Sequence, residues 1–327
     1  MKTIEIQKND ADQRLDKFLS KHFKTMPKSL MYKYIRTKYI KLNGKRCDIA
    51  DRLNEGDILT FYIKDEFFEA ANASTAENYD FLKAPTDIDI LYEDENILLA
   101  DKKPGLIVHP DENYHFDSLI ARIQHYLYDK GEYDPKSENS FAPALVNRID
   151  RNTGGIVIAA KNAESLRILN AKMKSREIKK IYLCVVFGIL KKKEATLSGF
   201  LVKNESQNRV YIHDSMQESA KTIKTKYRVL SEANNMSLLE VELLTGRTHQ
   251  IRAHLASIGH PLVGDGKYGK NQQNKLAGLK RQALYSYKLT FAFESDAESL
   301  DYLNGKGFTV KNVWFTETVN GQKTIKL

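Results

Sequence analysis

Three segments of this chain carry residue types that could do chemistry together. Asn147-Arg148-Ile149-Asp150-Arg151-Asn152-Thr153-Gly154-Gly155 sets an acid between arginines in a glycine-containing turn, directly before the apolar run Ile156–Ala160. A charged turn that feeds a β-branched run can hold a polar group rigidly at the edge of a sheet. Asp150 is therefore a candidate catalytic carboxylate, although the same residues also suit a solvated ion pair in a turn. Thr245-Gly246-Arg247-Thr248-His249-Gln250-Ile251-Arg252 reads as a turn entering a helix, with Thr248 as N-cap and His249 and Arg252 three apart on one face. An arginine aimed from there could hold an ionised aspartate. The third segment, Lys179–Val186, reads as a buried strand with Tyr182 near its start.

The elements that must position these residues follow from periodicity. Ile88–Tyr92, Ile97–Ala100, Lys226–Leu230, Leu238–Leu244 and Leu284–Phe293 read as strands, with helices over Ser118–Tyr128 and Ala163–Lys174. Many strands with few β-α-β repeats predict an α+β domain with a mixed, largely antiparallel sheet over 87–295. Residues 296–327 read as a C-terminal extension whose Asn320-Gly321 turn suggests a docked hairpin.

Ahead of that domain, residues 1–64 predict a compact ααβ module. Leu15, Phe18, Leu19 and Phe23 fall at helical spacing, as do Leu30, Met31, Tyr34 and Ile35 after Pro27, and Asn43-Gly44 signals a hairpin. Residues 65–86 lose apolar periodicity and are read as an acidic flexible linker.

Net charge is +9 over 327 residues, and residues 1–64 hold 15 Lys and Arg against 8 Asp and Glu, so the excess sits at the N-terminus. That balance favours a polyanionic partner. Arg14, Lys33, Arg36, Lys38, Lys41 and Lys45 could offer one basic face to phosphates, and the opposing reading is a merely solvated lysine-rich surface. Cys47 and Cys184 form no metal-ligand spacing and no disulfide framework. No apolar run approaches the roughly 18 residues of a membrane span, so the expectation is a cytoplasmic protein with no membrane partner.

Two resemblances sharpen this reading. Arg-Leu-Asp-Lys-Phe-Leu at 14–19 and Ile-Lys-Leu-Asn-Gly-Lys at 40–45 resemble the S4 RNA-binding module. The second domain is similar to the RluA family of RNA pseudouridine synthases, whose motifs His-Arg-Leu-Asp-x-x-Thr-Ser-Gly, Lys-x-Tyr and Gly-Arg-x-His-Gln-Ile-Arg are matched at 147–155, 180–182 and 246–252. Leu91–Asp94 through Lys103-Pro104-Gly105 to His109-Pro110, and His260–Asp265 before Tyr268-Gly269, follow the family pattern too. Asn147 and Gly154 depart from it, standing where the family usually has His and Ser.

The resemblance implies an isomerase that turns uridine into pseudouridine on a flipped-out base and needs no metal or redox cofactor. Asp150 would be the carboxylate, by attack on the base or anomeric carbon or through a glycal. Arg252 would pair with it, with Arg247 the second choice, and Tyr182 would stack on the uracil and assist at its C5 proton, or else be a core aromatic. Arg148 would fill the space left by the base or contact phosphate, and His249 would bond structurally near the substrate. Large-subunit (23S) ribosomal RNA or its precursor is the expected partner, with the chain a monomer. A transfer RNA target, an RNA-binding protein with a decayed site, and a nucleoside hydrolase stay open as alternatives.

Overall fold

The computed structural model describes residues 1–77, 79–110, 116–276, 278–319 and 322–325. Its N-terminal part holds β1 (Lys2–Glu5), α1 (Leu15–His22), α2 (Lys28–Arg36), β2 (Ile40–Leu42), β3 (Lys45–Arg46) and β4 (Ile58–Phe61). The strands form an antiparallel sheet in the order β1-β4-β2-β3. Leu15, Phe18 and Leu19 of α1 and Met31 and Ile35 of α2 are buried against it, as their spacing dictates. Asn43 and Gly44 both take positive φ, 50° and 73°, the conformation a two-residue hairpin needs to match strand twist.

The stretch expected to be a flexible linker is instead ordered by aromatics at both ends. Glu66–Glu77 is helix α3. Phe68 is buried, with its ring edge-on to Phe23 and Phe61 at 5.1 and 5.5 Å. Beyond a short 3-10 turn, Phe81 enters the core of the second part. The few apolar residues here have no helical period of their own, so the order comes from tertiary contact.

The two parts are also docked through polar groups. The fully buried Asp10 accepts from Ser140 Oγ (2.6 Å) and Asn139 Nδ2 (2.8 Å), while Asn9 Nδ2 donates to Glu138 Oε1 (2.7 Å). A buried carboxylate needs such partners, and here they come from a loop more than a hundred residues away.

The second part contains β5 (Ile90–Glu93), β6 (Ile97–Lys102), α4 (Leu119–Asp129), β7 (Ala144–Leu145), β8 (Gly154–Ala160), α5 (Ala163–Ser175), β9 (Ile178–Phe187), β10 (Glu194–Asn204) and β11 (Arg209–His213). It continues with β12 (Lys221–Ala233), β13 (Met236–Leu243), α6 (Gln250–Ser257), α7 (Asn271–Leu276), β14 (Leu284–Phe291), β15 (Gly307–Thr309), β16 (Thr316–Val319) and β17 (Gln322–Ile325). An eleven-stranded mixed sheet runs β11-β10-β12-β13-β9-β14-β8-β6-β5, with β15 beside β14 and β7 beside β8. Only the β14–β8 pairing is parallel among the described residues.

Both faces of the central strands are covered. Val157 and Ala159 of β8 and Tyr182, Cys184 and Val186 of β9 face a core shared with α4 and α6. Ile156, Ile158, Leu183 and Val185 face one shared with α5 and with Ala297, Leu300, Leu303 and Phe315. This two-sided burial explains why Ile156–Ala160 is an unbroken apolar run. Ala297, Leu300, Leu303, Val313 and Phe315 thus belong to the core, where the sequence predicts a C-terminal extension. The β16–β17 hairpin lies beyond them, with Lys323 Nζ 4.1 Å from the Tyr287 ring centre. The expected Asn320-Gly321 turn lies outside the described residues.

The start of β8 is where backbones crowd. Gly155 has φ +111°, and a Cβ there would stand 2.2 Å from the Ser286 carbonyl oxygen, so only glycine fits. A Cβ on Gly154 would meet the Tyr285 ring at 2.3 Å. That ring is fixed by its hydroxyl, which donates to Asp101 Oδ1 at 2.7 Å. The departure from serine at Gly154 is thus matched by Tyr285, which fills the space. Gly154→Ser should cost about 1–3 kcal/mol by urea unfolding. In a Tyr285→Ala background the same change should cost under about 1 kcal/mol; an equal cost in both backgrounds would show that Tyr285 is not the obstacle.

Candidate active site

Asp150 sits in the turn that enters β8, closed by the Thr153 N–H donating to the Asp150 carbonyl at 3.0 Å. Two loops lock that turn. Lys102, at the end of β6 and 1% exposed, donates its ammonium to the carbonyls of Leu106 (2.7 Å), Arg151 (2.9 Å) and Lys103 (3.1 Å). The Gly105 N–H donates to the Arg151 carbonyl, and Arg151 Nε returns a bond to the Gly105 carbonyl. Burial pulls the Lys102 ammonium down to about 7, and Asp150 opposes the shift. From the other side, Asn147 accepts from the Ile158 N–H at 2.8 Å and donates to the Ile156 carbonyl. Asparagine therefore staples the turn to its strand where the resembling family has histidine.

Arg252 joins Asp150 from the first turn of α6. Its Nη1 donates to Asp150 Oδ2 at 2.7 Å, while Nε and Nη2 fork onto Asp265 Oδ2 and Oδ1 at 2.7 and 2.9 Å. Asp265 is 0% exposed, and its Oδ1 also accepts the backbone N–H groups of Lys267 and Tyr268. Burial alone would raise the Asp265 carboxyl, but Arg252 outweighs it and the group titrates below its ordinary range. For Arg252 burial acts downward, and Asp265 and then Asp150 carry it above its usual value.

His249 completes the pairing. It is the N-cap of α6, with φ +53° and no side-chain capping bond, which corrects the expectation that Thr248 caps the helix. The left-handed turn brings His249 Nδ1 to 3.0 Å from Tyr268 Oη and Nε2 to 3.9 Å from Asp150 Oδ2. Tyr268 Oη already accepts the Val210 N–H at 2.9 Å, so its own proton is available to Nδ1. A proton donated by Tyr268 to Nδ1 would place the proton of the imidazole on Nε2, the ring nitrogen nearer Asp150. Burial lowers the His249 pKa despite Asp150, which keeps the ring neutral at pH 7.

Tyr182 lies on β9 in register with Ser286 and Val241. It is buried, at 5% exposed. Burial pushes its hydroxyl up to about 12, and the charge of Asp150 adds to the shift. A resting phenolate is therefore absent at neutral pH.

The other expected residues divide. Arg148 is exposed, and its charge adds to the burial that lowers His109. Arg247 is exposed and contributes its backbone N–H to Gln250 Oε1; the partner of Asp150 is Arg252. Lys33, Arg36, Lys38 and Lys45 are exposed on α2 and the hairpin after it, near the exposed rings of Tyr32, Tyr39 and Tyr62. Arg14 differs, since it forks onto Asp16 of its own helix at 3.0 Å through both Nε and Nη2.

Four residues at the site had no assigned role in the sequence reading: Lys102, Asp265, Tyr268 and Arg209. Asp265 and Tyr268 carried a signal, being inside a matched motif. A cavity of about 670 Å³ adjoins Arg252 and is lined among others by Asn152, Arg209, Lys267, Lys280 and Gln282. Among the described residues no group of three or more His, Cys, Asp or Glu could hold a metal ion, and no helix is long and apolar enough to cross a membrane.

Comparison with known proteins accords with this geometry. A family profile described as RNA pseudouridylate synthase matches residues 96–257, which include Asp150, Tyr182 and Arg252. An uncharacterised RNA pseudouridine synthase of Mycoplasma capricolum is 32% identical over 320 residues, covering 95% of this chain and 98% of that protein. The ribosomal large subunit pseudouridine synthase C of Vibrio parahaemolyticus is 29% identical, covering 91% and 90%. In fold, the chain is similar to the human RNA pseudouridylate synthase domain containing 4, with a TM-score of 0.54 at 18% identity over 75% of this chain and 93% of that one. The chain belongs to the RluA family of RNA pseudouridine synthases, isomerases that act on RNA.

Proposed function

We propose that this pseudouridine synthase modifies uridines in large-subunit ribosomal RNA, with Asp150 as its catalytic carboxylate. The observation that carries the assignment of Asp150 is its asymmetry. One oxygen is tied to a buried arginine, the other accepts no hydrogen bond among the described residues, and the side chain is 26% exposed. A carboxylate held in this way is oriented without being used up. The ribosomal target is supported by the name of the Vibrio relative, which matches nine-tenths of the chain. Support also comes from the exposed Lys33, Arg36, Lys38 and Lys45, an S4-like surface that would grip structured RNA by its phosphates. A cytoplasmic location follows from such a substrate.

In this reading the uridine leaves its stack and enters beside Asp150. The C1′–N1 bond breaks, the base turns, and C5 bonds to C1′; the C5 proton is lost and N1 is protonated, so nothing is gained or lost overall. Asp150 acts at the sugar or base while Arg252 holds its second oxygen, and His249 presents an N–H to the same carboxylate. Tyr182 serves as the ring against which the base packs. With its hydroxyl near 12, it contributes to the C5 proton step only as a protonated partner of another base.

Pseudouridines mapped in host ribosomal RNA by carbodiimide adduct sequencing should lose discrete sites on deletion of the gene. Wild type should restore them and Asp150→Asn should not, with turnover down roughly 10³-fold or more while RNA binding persists. An unchanged map would redirect the substrate to another RNA, and equal activity of Asp150→Asn would sink the assignment of Asp150. Arg252→Lys cannot make the fork and the third bond together, so kcat should fall about 10- to 100-fold with RNA affinity nearly unchanged. Tyr182→Leu should raise KM by about tenfold through lost stacking, whereas Tyr182→Phe should stay near the wild-type KM; steady-state kinetics on the mapped substrate separates the two.

A further inference from the structure

The cavity beside Arg252 holds more positive charge than the ion pairs of the site account for. Arg252 is matched by Asp150 and Asp265. Arg209, Lys267 and Lys280 line the same cavity, and among the described residues none of them pairs with a carboxylate. Lys267 Nζ donates only to the Asn208 carbonyl, at 2.6 Å. The Arg209 guanidinium lies 5.1 Å from the Tyr268 ring centre and 5.8 Å from that of Tyr211, while Arg252 lies 5.2 Å from Tyr268. Arg209 Nε is shut off from water and has no hydrogen-bond partner among the described residues.

A buried guanidinium N–H without an acceptor is costly unless a ligand supplies one. Rings that hold the guanidinium in place reduce the entropy lost when it binds an oxyanion. Three cations without a carboxylate ion pair among the described residues, set in a concave, polar wall, also concentrate positive potential where an anion would enter. These features select an acceptor that is anionic, multidentate and able to sit next to a carboxylate site.

We propose that Arg209, Lys267 and Lys280 form a subsite for the phosphodiester groups flanking the uridine brought to Asp150. The proposal rests on Asp150 being the catalytic carboxylate and names what holds its substrate. A nucleotide whose C1′ approaches Asp150 carries a phosphate on either side, and Arg252, which holds Asp150, lines the same cavity as these three cations. Arg209 belongs to the β10–β11 hairpin, so the subsite assigns that hairpin a substrate-holding role.

The test is filter retention of an unmodified transcript of large-subunit ribosomal RNA across a range of potassium chloride concentrations, with pseudouridine formation followed in parallel. Arg209→Ala and Lys280→Ala should each weaken retention several-fold and flatten the log–log salt slope by about 0.7 per lost phosphate contact on unpaired RNA. Lys280→Arg should restore the slope, and Arg209→Lys should restore the slope but only part of the affinity, because Nε is lost. Lys280 is exposed and its replacement leaves the core intact, so it reads the subsite even if Arg209→Ala folds poorly. Unchanged slopes in folded Lys280→Ala and Arg209→Ala would overturn the proposal. Absence of pseudouridine with wild type would count against the proposed reaction on this RNA, while the slopes would still decide whether the cations hold phosphate.

Discussion

A single buried guanidinium organises the active site. Arg252 spends two of its donors on Asp265 and a third on Asp150, so two carboxylates share one cation. Removing it would leave the fully buried Asp265 charged and unpaired, a change costing on the order of 3–5 kcal/mol. Pairing alone does not explain the arrangement, because one carboxylate would suffice to neutralise an arginine. The fork onto Asp265 instead fixes the plane of the guanidinium, and that plane fixes where the remaining N–H meets Asp150. Asp265 is in turn held by two backbone N–H groups. Orientation therefore passes from backbone to Asp265, to Arg252, to Asp150.

The turn carrying Asp150 has its own supports. Lys102 gathers three carbonyls from two segments of chain, and Gly155 allows β8 to pass close under Ser286. The two restraints are independent in origin, one being charge–dipole and the other steric. Together they leave the turn little freedom, as a site that must place one carboxyl oxygen within about half an ångström requires. His249 places Nε2 3.9 Å from the same carboxylate and is held there by its bond to Tyr268.

Much of this was legible in the sequence where function is written locally. Asp150, Tyr182 and Arg252 lie in short motifs, and the glycines beside Asp150 signalled a tight turn. What escaped depends on chain closure. Arg252 and Asp265 meet because α6 is followed by a loop that folds back beneath it, which no periodicity reports. Helix α3 was missed because Phe67 and Phe68 are its few strong apolar residues and tertiary packing orders them, Phe68 on Phe23 and Phe61 and Phe67 on Tyr34. Thr248 looked like an N-cap by residue type, yet the helix begins after His249 because that residue turns left-handed to reach Tyr268 and Asp150. Arg14 looked like a free cation until its fork onto Asp16 was seen.

The balance of charge in the cleft follows from the substrate it must admit. In the proposed reading a polyanion approaches Asp150, and two unit charges of like sign about 4 Å apart repel by roughly 4 kcal/mol at an effective dielectric constant near 20. Neutralising Asp150 completely would remove the repulsion and the reactivity together. The protein instead shares Arg252 between two acids, which leaves one Asp150 oxygen without a hydrogen bond among the described residues. Positive charge is then supplied separately by Arg209, Lys267 and Lys280 along the cavity wall. On the proposed reading, attraction of the phosphates and reactivity at the sugar fall to different side chains, and each can be strong without cancelling the other.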